Sequence, residues 1–598
     1  MHGRCWDDKG DGAMDVREFL KEHTLIFDGA MGSYLMTKYH RPADGCETTN
    51  LEAPEQVAEV HKAYLASGCN AIKTNTFGAN RLTLGEEVCR RVIEAGWNIA
   101  AEAAGDAFVF ADIGPVPMTD AKRALGEYRF SVDVFLELGA KNFLFETLSS
   151  FSCIGEIAKY IRERQPEAFI ITSFASQPDG FTRAGQLVSH LIHQAEENPA
   201  VDAVGLNCVS GARHMISLVQ QLGTVEKPLS VMPNAGYPTV LGSRTIYEGD
   251  PGYFAGQMQR LYNMGVRILG GCCGTTPKHL AETVKALGGS VPKQVPVVQP
   301  EQKKPQPERN RFWETLEQPG KKPIAVELDP PESGDVTKFM AGARELQAHG
   351  ADIITIADCP IARARMDSSI LACKIHRELG VEALPHMTCR DRNLNATKAL
   401  LLGLSAEGVH NVLTVTGDPI PSAERDEVKS VFNFNSRMLA RYITGLGETV
   451  LTTPFRAFGA LNLNARNFSV QLRLAQKKEE NGMVGFLTQP VLTKQALENL
   501  KLAHETLHGK ILGGIIPIVS QRNALFMNSE VAGITVDQEI IDRYEGLDRT
   551  QGEELAVRIS TAIAKEIAPY VDGFYLMTPF GRTGLMGRIM DEIRKENL

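Results

Sequence analysis

Three cysteines carry the most specific chemical signal in the chain. Cys208 ends the run GLNC at 205–208, and Cys272 and Cys273 sit side by side in GGCCGTTP at 270–277. Three thiolates suit a soft, tetrahedral metal ion, zinc above all, with sulfur at about 2.3 Å. Three protein ligands leave a fourth position open, which separates a catalytic zinc from a structural one. A substrate thiol in that position would be held as the thiolate, the reactive form, and the step served would be attack of sulfur on an electrophilic carbon. Two other readings stand beside this one: the cysteines pack as small hydrophobes, or 272 and 273 form a vicinal disulfide. Glycines at 270, 271 and 274 clear space around the pair and favour the metal.

A second group of residues points to proton chemistry. Glu327 stands near the end of the run IAVEL at 324–328, Asp418 follows the TG of NVLTVTGD, and PHMTCRDRN at 385–393 supplies His386 and two arginines. Two carboxylates with a cationic fringe suit acid–base work on an anionic ligand.

Such groups need a rigid frame. Eight short strand-like runs precede residue 290: 25–27, 70–74, 108–112, 142–145, 169–173, 202–206, 229–232 and 266–270. Eight more follow residue 312: 324–328, 352–358, 381–388, 411–418, 456–464, 482–489, 511–519 and 573–579. Most are separated by segments of helical period, such as EQVAEVHKAYLASG at 55–68. Eight β/α units per half predict an α/β protein of two (β/α)8 TIM barrels. A doubly wound sheet would also alternate, but no GxGxxG follows any of these strands. Barrels keep their chemistry at the C-terminal ends of the strands. Asp28, Asn75, Glu146, Asn207, Cys208, Asn234, Cys272 and Cys273 fall there in the first half, and Glu327, Thr355, His386, Asp418 and Gln489 in the second. Between the halves, five prolines alternate with polar residues in VPKQVPVVQPEQKKPQPERN at 291–310, the composition of a stiff tether. The expected division is a first barrel over 15–289, a Pro-rich linker over 290–311 and a second barrel over 312–598.

Composition excludes several classes. The 598 residues are 43% hydrophobic and 23% charged with a net charge of −9, and no basic run or aromatic-basic stripe suggests nucleic acid. No stretch is long and apolar enough for a membrane span, and the polar start does not read as a secretion signal. Eleven cysteines without such a signal favour reduced thiols and a cytoplasmic placement.

The motifs DGAMGS at 28–33, TNTF at 74–77, FET at 145–147, GLNC, PNAG at 233–236 and GGCCGTTP, in this order over about residues 20–289, resemble the homocysteine S-methyltransferase family. The resemblance implies that the sulfur of homocysteine binds Zn2+ on Cys208, Cys272 and Cys273, and that Asp28 and Glu146 hold its amino-acid head group. Asn234 is a further polar residue expected to face the substrate. A second DGAM, at 11–14, follows no strand and is given no role.

VELDPP at 326–331, HMTCRDRN, TGDP at 416–419 and LTQP at 487–490, over about residues 312–598, resemble methylenetetrahydrofolate reductase. That family is a TIM barrel carrying FAD that passes hydride from NADH or NADPH to 5,10-methylenetetrahydrofolate. Carried over, Glu327 is the general acid, Asp418 lies near flavin and pterin, Gln489 contacts the pterin, and Thr355, His386 and Lys478 contact the flavin. Two departures stand out: Asp329 occupies a position where an aromatic often sits, and 517–526 lacks the aromatic expected to stack on folate or nicotinamide.

Together the halves imply small-molecule substrates: homocysteine, tetrahydrofolate derivatives and a methyl donor. The donor stays open among S-methylmethionine, S-adenosylmethionine, methyl-folate and a corrinoid partner protein. No Asp in the chain has His two residues later, so the DxHxxG corrinoid motif is absent from it. In the alternative reading the first half is a homocysteine-docking module for a separate corrinoid methyl carrier. A homo-oligomer is compatible with either reading.

Overall fold

Runs rich in β-branched and aromatic residues, with no polar alternation, become strands covered on both faces, as parallel sheets require. FIITSF at 169–174 is the clearest: all six residues are buried. A computed structural model describes residues 15–596 apart from 42–44, 118–119, 237, 242–243, 248, 289–305, 421–428 and 532. The chain divides into two compact units, residues 1–302 and 303–598. The tether expected over 290–311 lies outside the described residues as far as 305, as does DGAM at 11–14.

The first unit has β1 (Leu25–Ile26), β2 (Ala71–Lys73), β3 (Phe108–Ile113), β4 (Asn142–Leu148), β5 (Phe169–Phe174), β6 (Ala203–Gly211), β7 (Leu229–Asn234), a hairpin of β8 (Pro238–Leu241) and β9 (Arg244–Tyr247), and β10 (Ile268–Leu269). Eight of these pair in parallel in the order β1-β10-β7-β6-β5-β4-β3-β2. A bridge between Phe27 and Ala71 joins the two ends of that order. β1 and β10 are short, yet the chain stays paired beyond them: Phe27 N–H donates to Leu269 O at 2.7 Å and Gly271 N–H to Asp28 O at 3.0 Å. The antiparallel β8–β9 hairpin is an addition that the β/α period does not reveal.

The second unit is a closed parallel barrel of β11 (Ile324–Leu328), β12 (Ile353–Ile356), β13 (Glu382–Thr388), β14 (Asn411–Val415), β15 (Arg456–Leu461), β16 (Gly485–Pro490), β17 (Lys510–Ile515) and β18 (Gly573–Met577). Both units are therefore eight-stranded α/β barrels. One residue from each strand fills the second barrel's interior: Ala325, Ile353, Leu384, Leu413, Phe458, Leu487, Leu512 and Tyr575. Such layers are packed cores rather than pores.

Each barrel is floored by a short helix that precedes its first strand. Val16–Glu22, capped by Asp15 on Arg17 N–H, sends Val16, Phe19 and Leu20 into the cluster of Leu25, Phe110, Leu144, Phe169 and Met232. Arg311–Leu316, capped by Asn310, does the same with Phe312 and Leu316. Burying each large apolar side chain contributes roughly 1.5–3 kcal/mol. With the floors plugged, chemistry is confined to the opposite mouths. No helix among the described residues is long and apolar enough to cross a membrane.

Candidate active sites of the two barrels

In the first barrel, β6 loses register against β7 between Asn207 and Gly211. There Cys208 (φ 57°) and Val209 (φ 60°) take the left-handed conformation that costs a non-glycine residue roughly 1–2 kcal/mol. Such strain persists only where neighbours over-determine it. Here Asn207 is the clamp. Its Oδ1 accepts from Thr147 N–H (2.8 Å) and Ser173 Oγ (2.9 Å), and its Nδ2 donates to Thr147 Oγ1 (2.8 Å) and Glu146 Oε2 (3.3 Å).

The other two thiols come from the turn after β10. Cys272 N–H donates to Pro233 O (2.9 Å), and Cys273 O accepts from Ala235 N–H (3.0 Å), which ties this turn to the end of β7. Gly274 has φ +79°, and the ring of Tyr247 occupies the space where its Cβ would lie. A side chain there would expel Tyr247 from beside the thiols.

The three sulfurs lie within 4.8 Å of one another, with Cys208 and Cys273 Sγ at 3.7 Å. A tetrahedral ion at 2.3 Å from each sulfur sets them about 3.8 Å apart. The donor set and its spacing fit zinc. All three cysteines are free, so no vicinal disulfide joins 272 and 273. Hydrogen bonds from Cys208 and Cys272 pull the Cys273 thiol down to about 3, while sharing with Cys272 and Cys273 pushes Cys208 up.

Beside the thiols lies a buried charged layer of Asp28, Lys73, Asp112 and Glu146. Lys73 Nζ stands 3.5 Å from Glu146 Oε2, and Lys73 N–H donates to Asp28 Oδ2 at 3.1 Å. Burial raises the carboxyls of Asp28 and Glu146 to about 7, with Lys73 opposing the rise in each. Asn234 ends β7, is buried, and its Oδ1 has no hydrogen-bond partner among the described residues. The sequence reading did not single out Lys73, Asp112 or Tyr247. A lysine inside the apolar run AIK before TNTF was the available signal for the first of them.

In the second barrel Glu327 pairs across the sheet with Thr355 on β12. Its Oε2 accepts from the hydroxyl of Tyr575, which rises from the interior layer on β18. His386 Nε2 is 3.7 Å from the same oxygen. Burial pushes the His386 imidazole down to about 4, so it is neutral at physiological pH and makes no ion pair there. Burial also raises the carboxyl of Glu327, against the hydrogen bond from Tyr575. His386 Nε2 is buried without a hydrogen-bond partner among the described residues, and Thr355 Oγ1 is buried beside the Tyr575 hydroxyl. Tyr575 was missed because GFYLM reads as an ordinary apolar strand.

The remaining sequence candidates lie around this mouth without joining Glu327. Asp418 is exposed on the segment after β14, where its backbone oxygen accepts from Arg390 at 3.2 Å. Gln489 is partly exposed near the end of β16. Lys478, on the helix Phe468–Glu479, donates to Ala460 O at 2.6 Å, and burial with Arg437 nearby lowers its ammonium to about 8. Arg390 is buried and grips Asp391 with two nitrogens, at 2.8 and 2.7 Å. Arg392 spans Asp358 and Asp367. The charges of CRDRN thus form a braced rim.

Two α/β barrels in one chain, one with three thiols spaced to hold a metal ion and one with a buried carboxyl at its mouth, is the class these observations define. Residues 25–287 match the family model Homocysteine S-methyltransferase, and residues 312–593 match Methylenetetrahydrofolate reductase. The first unit thus carries a homocysteine S-methyltransferase domain and the second a methylenetetrahydrofolate reductase domain, and the chain is an enzyme. Methionine synthase of Mycobacterium leprae (strain TN) is 27% identical over 312 residues, covering 47% of this chain and 26% of that protein. Methionine synthase of Mycobacterium tuberculosis (strain ATCC 25618 / H37Rv) is 27% identical over 305 residues, covering 46% and 25%. The chain thus spans about a quarter of the length of these curated relatives. Among solved structures, the oxidized form of the homocysteine methyltransferase MmuM from Escherichia coli is similar at 24% identity and a TM-score of 0.38, over 44% of this chain and 95% of that one. Its metallated form stands at 22%, 0.37, 44% and 96%.

Proposed function

We propose that the first unit transfers a methyl group to the sulfur of homocysteine, giving methionine, and that the second reduces 5,10-methylenetetrahydrofolate to 5-methyltetrahydrofolate. The observation that carries the first half is the set of three sulfurs at tetrahedral spacing beside the buried carboxylates Asp28 and Glu146. Cys208, Cys272 and Cys273 hold Zn2+, which when bound keeps a substrate thiol ionised near neutral pH. Asp28 and Glu146 take the substrate's ammonium by charge-assisted hydrogen bonds. Asn207 fixes Glu146 for that task, and Asn234 presents an unpartnered oxygen to the substrate.

In the second unit, Thr355, His386, Asp418 and Lys478 hold FAD, and Gln489 the pterin. The buried His386 Nε2, without a partner among the described residues, fits a ligand that supplies the missing hydrogen bond. The flavin, when bound, carries hydride from NADH or NADPH. Glu327, its proton favoured by burial, donates to the folate and opens the methylene bridge to a reactive iminium. A positioned acid contributes about 10²–10⁴ in rate. Asp418 tunes the flavin from the rim.

The test is methionine formation by the purified chain with homocysteine and one donor at a time: 5-methyltetrahydrofolate, S-methylmethionine or S-adenosylmethionine. Turnover with any of them supports a self-sufficient methyltransferase, and with methyl-folate the two units form one pathway. Likeness to methionine synthases favours a second reading, in which a corrinoid protein carries the methyl group. Silence with all three donors, reversed by a methylated corrinoid carrier, would select it.

A further inference from the structure

Lysine is among the residues least often buried unless paired. Lys73 ends β2 at 8% exposure, and its charge bears on Glu146, Asp28, Cys272 and Asp112. Three carboxylates and one ammonium therefore share a layer almost free of solvent. The Oδ1 atoms of Asp28 and Asp112 are buried there without hydrogen-bond partners among the described residues. Buried carboxylates that lack a cation take up protons rather than stay charged, and like-charged neighbours reinforce this.

We propose that Lys73 is a positioning residue for the substrate pocket: its ammonium offsets one of the three buried carboxyls and favours the charged forms of Asp28 and Glu146, which accept the α-ammonium of an amino-acid thiol in preference to a thiol that lacks one. This rests on the assignment of Asp28 and Glu146 to the substrate's amino group. Lys73 is built for the task by its place. It reaches Glu146 with its side chain at 3.5 Å and orients Asp28 with its backbone N–H at 3.1 Å, so one residue fixes both members of the pair. Asp112 stands one residue before the end of the neighbouring strand β3, and its backbone is locked by Thr74 and Thr76, whose hydroxyls bond its N–H and O at 3.0 and 2.7 Å. A third carboxylate is thereby held close to the ammonium. With one carboxylate offset by the lysine, the substrate's ammonium meets acceptors that no longer repel one another into taking up protons.

The test compares two ligands on the zinc-loaded full chain by isothermal titration calorimetry: homocysteine, and 4-mercaptobutyrate, which is homocysteine without its amino group. Hydrogen bonds to charged groups predict that the unaltered chain prefers homocysteine by roughly 10–100-fold. In Lys73→Met that preference should shrink to under about threefold, while zinc content and affinity for 4-mercaptobutyrate hold, because only the charge-assisted bonds are lost. Lys73→Met/Asp112→Asn, which removes the ammonium together with one of the carboxyls around it, should regain most of the preference; a merely structural role for Lys73 would make it worse. Full preference in Lys73→Met, or a double variant as indifferent as the single one, overturns the proposal. If Lys73→Met fails to retain zinc, the double variant alone decides by the same criterion. An unaltered chain without preference would instead refute the assignment of Asp28 and Glu146.

Discussion

The two barrel mouths bury carboxylates at strand ends in the same way and surround them differently. In the first, Asp28, Asp112 and Glu146 share their layer with Lys73, an ammonium that opposes the cost of burying charge. In the second, Glu327 is met by the hydroxyl of Tyr575 and by an imidazole that burial keeps neutral. A fixed cation favours the ionised carboxylate and opposes the burial that raises Asp28 and Glu146, whereas neutral partners bring no such opposing charge to Glu327. Under the proposed function that difference divides the labour: the first mouth holds a charged substrate, the second holds a proton ready to give. A barrel strand end supplies a carboxylate, and its neighbours decide what the carboxylate does.

The largest effect should come from the metal set of the first mouth. Cys273→Ala removes one of three ligands and should abolish both zinc retention and homocysteine methylation, since metal affinity depends on every thiolate. Folate reduction by the second unit should be unchanged. Metal analysis of the purified variant checks this, and undiminished zinc per chain refutes the ligand set.

The acid of the second mouth should rank next. Glu327→Gln keeps the shape and the contact with Tyr575 but has no proton to donate, so folate reduction should fall by about 10²–10⁴. Flavin reduction by NADH or NADPH, followed in stopped flow, should persist, because no proton from Glu327 enters that step. Equal losses in both half-reactions would turn Glu327 into a flavin-holding residue and erase the contrast between the mouths.

The sequence made the frame and the thiols legible for one reason: both are written locally. Strand runs recur with helices between them, and Cys208, Cys272 and Cys273 sit at strand ends flanked by glycines. What decides the contrast between the mouths is written across strands. Lys73 meets Glu146 only because the first sheet closes β2, β3 and β4 side by side, and nothing in AIKTNTF names that partner. Tyr575 lies 248 positions from Glu327 and becomes its neighbour only where β18 pairs with β11. Tyr247 rides on a hairpin inserted between β7 and the next helix, which a count of β/α units passes over. Charge alone misled in one respect. RDR reads as a cationic fringe, yet Arg390 is buried and spent on Asp391, and Arg392 on Asp358 and Asp367. Asp418, grouped with Glu327 by type, stands exposed on its own segment.

The smallest effect isolates the hydroxyl that separates the second mouth from the first. Tyr575 donates to Glu327 and favours its ionised form, against the burial that raises the carboxyl. A hydrogen bond to a charged group contributes about 1.5–3 kcal/mol, so its loss is measurable without unmaking the site. In Tyr575→Phe the carboxyl should rise further. A general acid works in its protonated form, and activity declines as pH climbs through its pKa. The declining alkaline limb of folate reduction should therefore move to higher pH in the variant, while the plateau at lower pH holds. The pH profile of flavin reoxidation by methylenetetrahydrofolate reads this directly. A limb that stays in place would mean that Tyr575 does not act on the proton of Glu327. A limb moving to lower pH would mean that the hydroxyl stabilises the acid rather than its anion, and that the two mouths differ by more than one cation.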